Sequence, residues 1–474
     1  MKNKGITKRM QRTRYFVGDL LTGNVAFFLF NLFRFRILGI RSGEYSVWDY
    51  VLSDKLLAEQ CAVPLVMCGI FWLSGYYNRP FGKSRLQELQ TTIYSAIINS
   101  AIIYMVFLIN DGSVDRTVNY ELIATLFLIL FVCCYVLRIA ITLRTSRYFH
   151  LHQWEFRVLV VGSSATGRRT ARRLLESPSR VSYRIFGYVA IPGEIVDETA
   201  DDTYRLEDIG ELCDKFSIDH LIIAPDSIDD KKILNLLYHL QPLNLSVRII
   251  PDTFSILTSS IRLNDIYGDP FVEITSPAIS ESSKNIKRTF DVVMSVFVLI
   301  FLSPLYIAIA FWVKRSSPGK IIFKQERIGR KQRPFNIYKF RTMIEDAEKE
   351  GPRLSSDSDE RITAAGRILR KYRLDELPQF WNVLKGDMSI VGPRPERRYY
   401  MEKIMEKAPY YALVCQVRPG ITSWGMVKYG YASNVEQMVE RTRYDLIYLS
   451  NMSLSLDIKI LIYTVRTVAC GRGL

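Results

Sequence analysis

Residues Arg373–Glu396 read R-L-D-E-L-P-Q-F-W-N-V-L-K-G-D-M-S-I-V-G-P-R-P-E. An adjacent acid pair, Asp375-Glu376, heads an apolar segment, and Gly392-Pro393-Arg394-Pro395 closes it. Aspartate is a favoured helix N-cap, and Leu377, Phe380, Trp381 and Leu384 are spaced helically, so the acids are expected to mark a helix start. A carboxylate there can act as a nucleophile or as a hard oxygen ligand for a divalent cation. A capped helix with two solvated acids is the plain alternative, and only the surrounding sequence can displace it.

With 474 residues the chain has room for two or three domains. A net charge of +15 beside 48% hydrophobic residues suits a membrane protein with basic cytoplasmic faces better than a soluble one. No helix-turn-helix, zinc or aromatic RNA-binding signature accompanies the charge, so nucleic acid is not an expected partner. The seven cysteines are scattered and never form C-x-x-C, which argues against a disulfide framework or zinc site and for a reducing compartment.

Residues 1–150 read as four membrane helices, about Phe16–Phe33, Leu56–Tyr76, Ile93–Ile109 and Leu122–Leu143. No small-residue cleavage site follows the first apolar stretch, so it reads as an anchor. Arg79, Lys83 and Arg85 between the second and third helices, and Arg144 and Arg147 after the fourth, place both ends of this bundle in the cytoplasm. Arg34, Arg36 and Arg41 are expected on an outer loop, against that rule. Asp19, inside the first span, is expected to reach the interface.

Residues 151–280 read as an α/β unit. Phe156–Val161 is an apolar strand, followed by G-S-S-A-T-G (Gly162 to Gly167) and an Arg-rich helix. The middle glycine of G-x-G-x-x-G is missing, and Phe186–Ile191 ends without the acid that would hold a ribose hydroxyl. A structural or regulatory Rossmann-like module is expected, without a catalytic nicotinamide.

After Ser276-Pro277, Val292–Val313 is apolar and of membrane length, yet Lys287-Arg288 precede it and Lys314-Arg315 follow it. Both flanks favour the cytoplasmic side. Pro304 removes a backbone donor at its centre, and Ser303 can satisfy a freed group. A kinked spanning helix is the commoner object; the two basic flanks point to a hairpin that enters and leaves by one face. Lys320–Arg341 then carries eight basic residues and one acid among Phe323, Phe335, Tyr338 and Phe340. Such a run can be a solvated face, or it can hold lipid headgroups and a substrate diphosphate. No histidine follows His239. A histidine triad or a histidine-ligated metal is therefore excluded from the C-terminal region, and chemistry there must use carboxylates and basic residues.

Lys287 to Leu474 resembles the bacterial sugar transferase family, the monotopic phosphoglycosyl transferases. The resemblance rests on K-R-T-F-D-V (Lys287–Val292), the Ser303-Pro304 break, Q-E-R-I-G (Gln325–Gly329) and Y-K-F-R-T-M (Tyr338–Met343). It continues through L-D-E-L-P-Q, G-P-R-P-E, R-P-G-I-T (Arg418–Thr422) and Y-D-L-x-Y-L (Tyr444–Leu449). The whole chain is similar to the long members, the undecaprenyl-phosphate glucose or galactose phosphotransferases that begin capsule, O-antigen or exopolysaccharide synthesis. The fold implied is an α-helical membrane bundle (1–150), an α/β Rossmann-like, CoA-binding-like module (151–280) and a mainly α monotopic catalytic domain (281–474) with a re-entrant membrane helix at 292–313.

The resemblance implies that Asp375 attacks the sugar-linked phosphate of a UDP-sugar, releasing UMP, and that undecaprenyl phosphate then takes the phosphosugar. Asp375 and Glu376 would hold Mg2+, and Lys339, Arg341, Arg370 and Arg394 would contact phosphate. Ser303 and Pro304 would break the re-entrant helix. Membrane lipids and a second copy of the chain are further expected partners, and the location implied is the bacterial inner membrane with the site on its cytoplasmic face. Two rivals compete. A membrane-anchored nucleotide-sugar dehydratase or epimerase needs a full glycine fingerprint and a Tyr-Lys pair; Tyr399 and Lys403 have the spacing but lie outside the Rossmann-like module. A non-catalytic scaffold leaves the C-terminal motifs unexplained.

Overall fold

The computed structural model describes residues 8–42, 46–108, 116–151, 154–176, 182–191, 202–224, 279–345 and 359–469, with 236, 239–240, 243, 245–249, 272–273 and 347 between them. The Ser276-Pro277 composition shift lies outside the described residues. The chain divides into two compact units. One comprises Met1–Phe156, Ser177–Arg184 and Ser280–Ile286, and the other Arg157–Glu176, Ile185–Ile279 and Lys287–Leu474.

Four helices of the first unit are long and apolar enough to cross a membrane: α1 (Lys8–Ser42), α2 (Asp54–Leu73), α3 (Arg85–Ile103, prolonged by a π turn over Tyr104–Leu108) and α4 (Arg116–His150). Along α4 the buried residues Leu122, Leu126, Leu130, Cys134, Arg138 and Thr142 recur every four positions, so one stripe of the helix faces its neighbours. Its upper part packs with Phe27, Phe30, Val63, Met67 and Phe71.

That stripe turns polar at Arg138. The Arg138 guanidinium donates to both Asp19 oxygens at 2.8 Å and lies over the rings of Phe71 and Tyr76. Tyr77 donates to Asp19 at 2.8 Å, while Glu88 accepts from Tyr76 and Thr142, each at 2.8 Å. Two sequence expectations are corrected here. Asp19 does not reach the interface but is fully buried against Arg138. Arg34 is not on an outer loop; it sits inside α1, buried, 3.1 Å from Glu59. A buried charge must be paired, and both partners come from segments distant in sequence.

In the second unit a six-stranded sheet comprises β1 (Phe156–Val161), β2 (Tyr183–Val189), β3 (Thr203–Tyr204), β4 (His220–Ile223), β5 (Ser246–Ile249) and β6 (Val272–Glu273). Its order is 3-2-1-4-5-6, with β6 antiparallel to β5. Helix α5 (Ala165–Glu176) follows the glycine loop. A Cβ on Gly167 would lie 2.0 Å from the Gly162 carbonyl oxygen, so the last glycine is required by close packing. Ser164 stands, buried, where the fingerprint has its middle glycine.

The C-terminal part begins with α7 (Glu281–Phe301) and α8 (Ser303–Ser316), bent by 63° at their junction; α6 is Ile209–Phe216 in the preceding module. Ser303 Oγ donates to the Ile300 carbonyl at 2.7 Å, and Pro304 occupies the first turn of α8, where a missing N–H costs nothing. The hairpin β7 (Ile322–Ile328) and β8 (Pro334–Phe340) gives the basic run its geometry. Short helices α9 (Ala364–Lys371), α10 (Gln379–Lys385), α11 (Arg398–Lys407) and α12 (Trp424–Lys428) follow, with β9 (Ser389–Val391) parallel to β10 (Gly420–Thr422). Helices α13 (Val435–Ser450) and α14 (Leu454–Ala469) are the last described elements.

Candidate active site

Asp375 and Glu376 lie in a 3-10 turn, Leu374–Glu376, one turn before α10, and neither caps that helix. Nor are they solvated, being 7% and 5% exposed. Arg373, immediately before them, takes a left-handed conformation (φ 52°), a strained choice for a side chain larger than glycine. That turn folds the Arg373 guanidinium back to 3.8 Å from Glu376.

Three bases surround Glu376. Lys339 Nζ, from β8, donates to it at 2.7 Å, and Arg394 approaches to 3.7 Å beside Arg373. Burial opposes the charge of Glu376, but Lys339, Arg394 and Arg373 outweigh it and hold the carboxyl below its usual range. Asp375 goes the other way. Burial raises its carboxyl above the usual range, Lys339 and Arg370 oppose the rise, and the Glu376 charge reinforces it. Arg370, on α9, is fixed by donating Nε to Thr342 Oγ1 at 2.9 Å. The two neighbouring acids are thus driven apart: the bases favour the charged form of Glu376, while burial favours the neutral form of Asp375.

The loop carrying Arg394 is held from behind. A Cβ on Gly392 would meet the Arg418 carbonyl oxygen at 2.5 Å, and one on Gly420 would meet Gly392 N at 2.2 Å. The glycines of G-P-R-P-E and R-P-G-I-T therefore exist for each other, backbone against backbone. Asp445 accepts from the N–H groups of Gly425, at 3.0 Å, and Arg394. Glu396 is buried and paired with Arg441 and, at 3.6 Å, with Arg327. Upstream, Lys287 Nζ donates to the Val391 carbonyl (2.8 Å) and to Asp457 (2.7 Å). Asp291 accepts from Ser389 Oγ (2.7 Å) and Ile390 N (3.1 Å). Lys287 and Asp291, one turn apart on α7, thereby fasten that helix to β9.

Of the residues singled out in the sequence, Asp375, Glu376, Lys339, Arg370 and Arg394 are brought together. Arg341 is engaged elsewhere: its NH2 donates to Ser317 O (2.6 Å) and Val313 O (3.4 Å), at the end of α8. It closes the exposed carbonyls of a helix C-terminus, a common station for arginine, and does not join the groups contacting the acids. Tyr399 and Lys403 touch each other at 2.6 Å on the exposed face of α11, as any Tyr and Lys four apart on a helix can. Arg373 and Tyr431 were not singled out beforehand. The Tyr431 ring lies 5.3 Å from the Arg373 guanidinium and 5.4 Å from that of Arg394.

A buried acid pair ringed by bases can neutralise and position a polyanionic group. Residues 282–471 match the bacterial sugar transferase family, and residues 73–251 a family described as a CoA-binding domain. The chain is 43% identical over 188 residues to the UDP-N-acetylgalactosamine-undecaprenyl-phosphate N-acetylgalactosaminephosphotransferase of Aeromonas hydrophila, covering 40% of this chain and 44% of that one. It is 34% identical to the UDP-glucose:undecaprenyl-phosphate glucose-1-phosphate transferase of Escherichia coli K12, covering 65% of this chain and 66% of that one. With the undecaprenyl-phosphate galactose phosphotransferase of Salmonella typhimurium it shares 30% identity, over 66% of this chain and 68% of that one. The chain thus spans between 44% and 68% of these relatives' lengths. It belongs to the bacterial sugar transferase family.

Proposed function

We propose that this protein transfers a hexose-1-phosphate from a UDP-sugar, UDP-glucose or UDP-galactose, to undecaprenyl phosphate as the first membrane step of a surface polysaccharide. The observation that carries the reading is the buried Asp375-Glu376 pair, its two carboxyls shifted in opposite directions, with Lys339 and Arg370 acting on Asp375 and Lys339, Arg373 and Arg394 paired with Glu376. An Asp375 oxygen attacks the sugar-linked phosphorus, the bond to the UMP oxygen breaks, and UMP leaves with the electron pair. An oxygen of the lipid phosphate then attacks the same phosphorus and expels the Asp375 carboxylate. The bases neutralise the diphosphate and the departing UMP.

Asp375 and Glu376 also suit Mg2+, which takes one or two carboxylates and completes its shell with phosphate and water oxygens. Among the described residues no group of three or more His, Cys, Asp or Glu forms a ready-made cage. Bound there, the ion would supply further neutralisation of the diphosphate.

The proposed parts are the bundle (1–150), the middle module (151–280) and the catalytic domain (281–474), in a bacterial inner membrane with the site on the cytoplasmic face. Helices α7 and α8 form the re-entrant hairpin. Val292–Phe301 rises only about 15 Å, half the hydrocarbon thickness. At the bend Ile300, Phe301 and Ile307 are 71%, 68% and 71% exposed, as lipid-facing side chains would be. Tyr306 OH donates to Leu377 O at 2.7 Å, tying α8 to the segment after the acid pair. In a cysteine-free background, Lys284→Cys and Ser316→Cys are both expected to label from the cytoplasmic side alone. External labelling of Ser316→Cys would refute the hairpin.

Transfer itself is tested with the full chain in membranes, radiolabelled UDP-glucose or UDP-galactose, and undecaprenyl phosphate. Label is expected in the lipid fraction with stoichiometric UMP release. Oxidised or epimerised nucleotide sugar without lipid labelling would favour the dehydratase or epimerase, and no turnover at all would favour a scaffold.

A further inference from the structure

We propose that Tyr431 is the nucleobase platform of the donor site, the face on which the uracil ring of the UDP-sugar stacks; this rests on the transferase reading above. Tyr431 stands between α12 and α13 next to Gly430, which adopts φ 94° with open space around it. The residue is 41% exposed although it borders a site whose acids are buried. Arg373 and Arg394 contact Glu376, at 3.8 and 3.7 Å, and both guanidiniums lie over the Tyr431 ring, which also interacts with Arg370, the base beside Asp375.

In a UDP-sugar the attacked phosphorus must meet Asp375, the second phosphate lies one link further, and the base beyond it. With the guanidiniums on the diphosphate, the partly exposed aromatic ring in contact with both of them is placed to meet the base. The sugar stays bonded to the attacked phosphorus and so remains nearer the carboxylates. Stacking of a base on an aromatic side chain needs only a ring, and its loss on truncation is on the order of ten-fold or more in affinity. The bland alternative is that Tyr431 is a wedge, its ring merely propping the two arginines by cation–π contact.

The two roles separate with ligands that differ by the base alone. Competition by UMP and by ribose 5-phosphate against the UDP-sugar is measured on the full-length protein in nanodiscs, for wild type, Tyr431→Phe and Tyr431→Ala. Tyr431→Ala is expected to weaken UMP ten-fold or more while leaving ribose 5-phosphate within two-fold. Tyr431→Phe, which keeps the ring, should stay within three-fold for both. Equal weakening of both ligands would make Tyr431 a wedge and overturn the platform. So would unchanged UMP competition with a raised donor KM, which would move the ring to the sugar. A wild-type protein on which UMP does not compete at all would sink the transferase reading, and this assignment with it.

Discussion

Asp375→Asn is expected to reduce sugar-phosphate transfer by about a thousand-fold or more, because it removes the attacking charge and keeps the shape. The same change should leave thermal stability equal or slightly raised. Burial holds the Asp375 carboxyl above its ordinary range, so ionising it at neutral pH works against the folded state, and a neutral amide removes that cost. Glu376→Gln should behave oppositely: its carboxyl is held low by Lys339, Arg394 and Arg373, so its charge stabilises the fold, and its loss leaves Lys339 without its partner. With enzyme and UDP-sugar alone, the wild type should release at most one UMP per site and gain a phosphosugar on the Asp375 peptide. Activity should fall with acid once pH drops through the raised Asp375 value, above the ordinary aspartate range near 4. Strict dependence of UMP release on the lipid, or near-normal turnover by Asp375→Asn, would favour direct attack by the lipid phosphate.

The largest expected effect on stability lies in the bundle. Arg138→Met would leave Asp19 buried with Tyr77 but without its bidentate counterion. Breaking a buried pair from one side costs about 3–5 kcal/mol. Removing both charges, in Asp19→Asn with Arg138→Met, should recover most of that loss, since no uncompensated charge remains. Thermal unfolding of the two variants in the same detergent measures the difference. A double variant no more stable than the single one would mean the pair is not what holds these helices.

The acid pair, Lys339 and Arg394 stand in short blocks that carry the family resemblance, and it was that resemblance that pointed to them and to Arg370. The break between α7 and α8 was legible too, at Ser303-Pro304. What escaped was everything that pairs across distance. Asp19 and Arg138 are 119 residues apart, and nothing local to Asp19 tells a buried acid from one at the interface. Arg341 sits in the same motif as Lys339, yet the two point to different partners, a helix end and a carboxylate. Asp445 was seen only within the Tyr444–Leu449 block of the resemblance; its use, to hold the Arg394 backbone, appears once the loop and α13 are side by side. Tyr431 lay in a segment with no motif at all.

Lys287 and Asp291 hold α7 to β9, and β9 runs straight into the arginine loop. If α7 rests in one leaflet, the site acquires a fixed altitude over the bilayer. The acceptor phosphate is kept at that same level by its own hydrocarbon tail. The second half of the proposed reaction would then be an encounter in a plane: the lipid would only have to diffuse sideways to the phosphosugar, and no tail need be drawn into water.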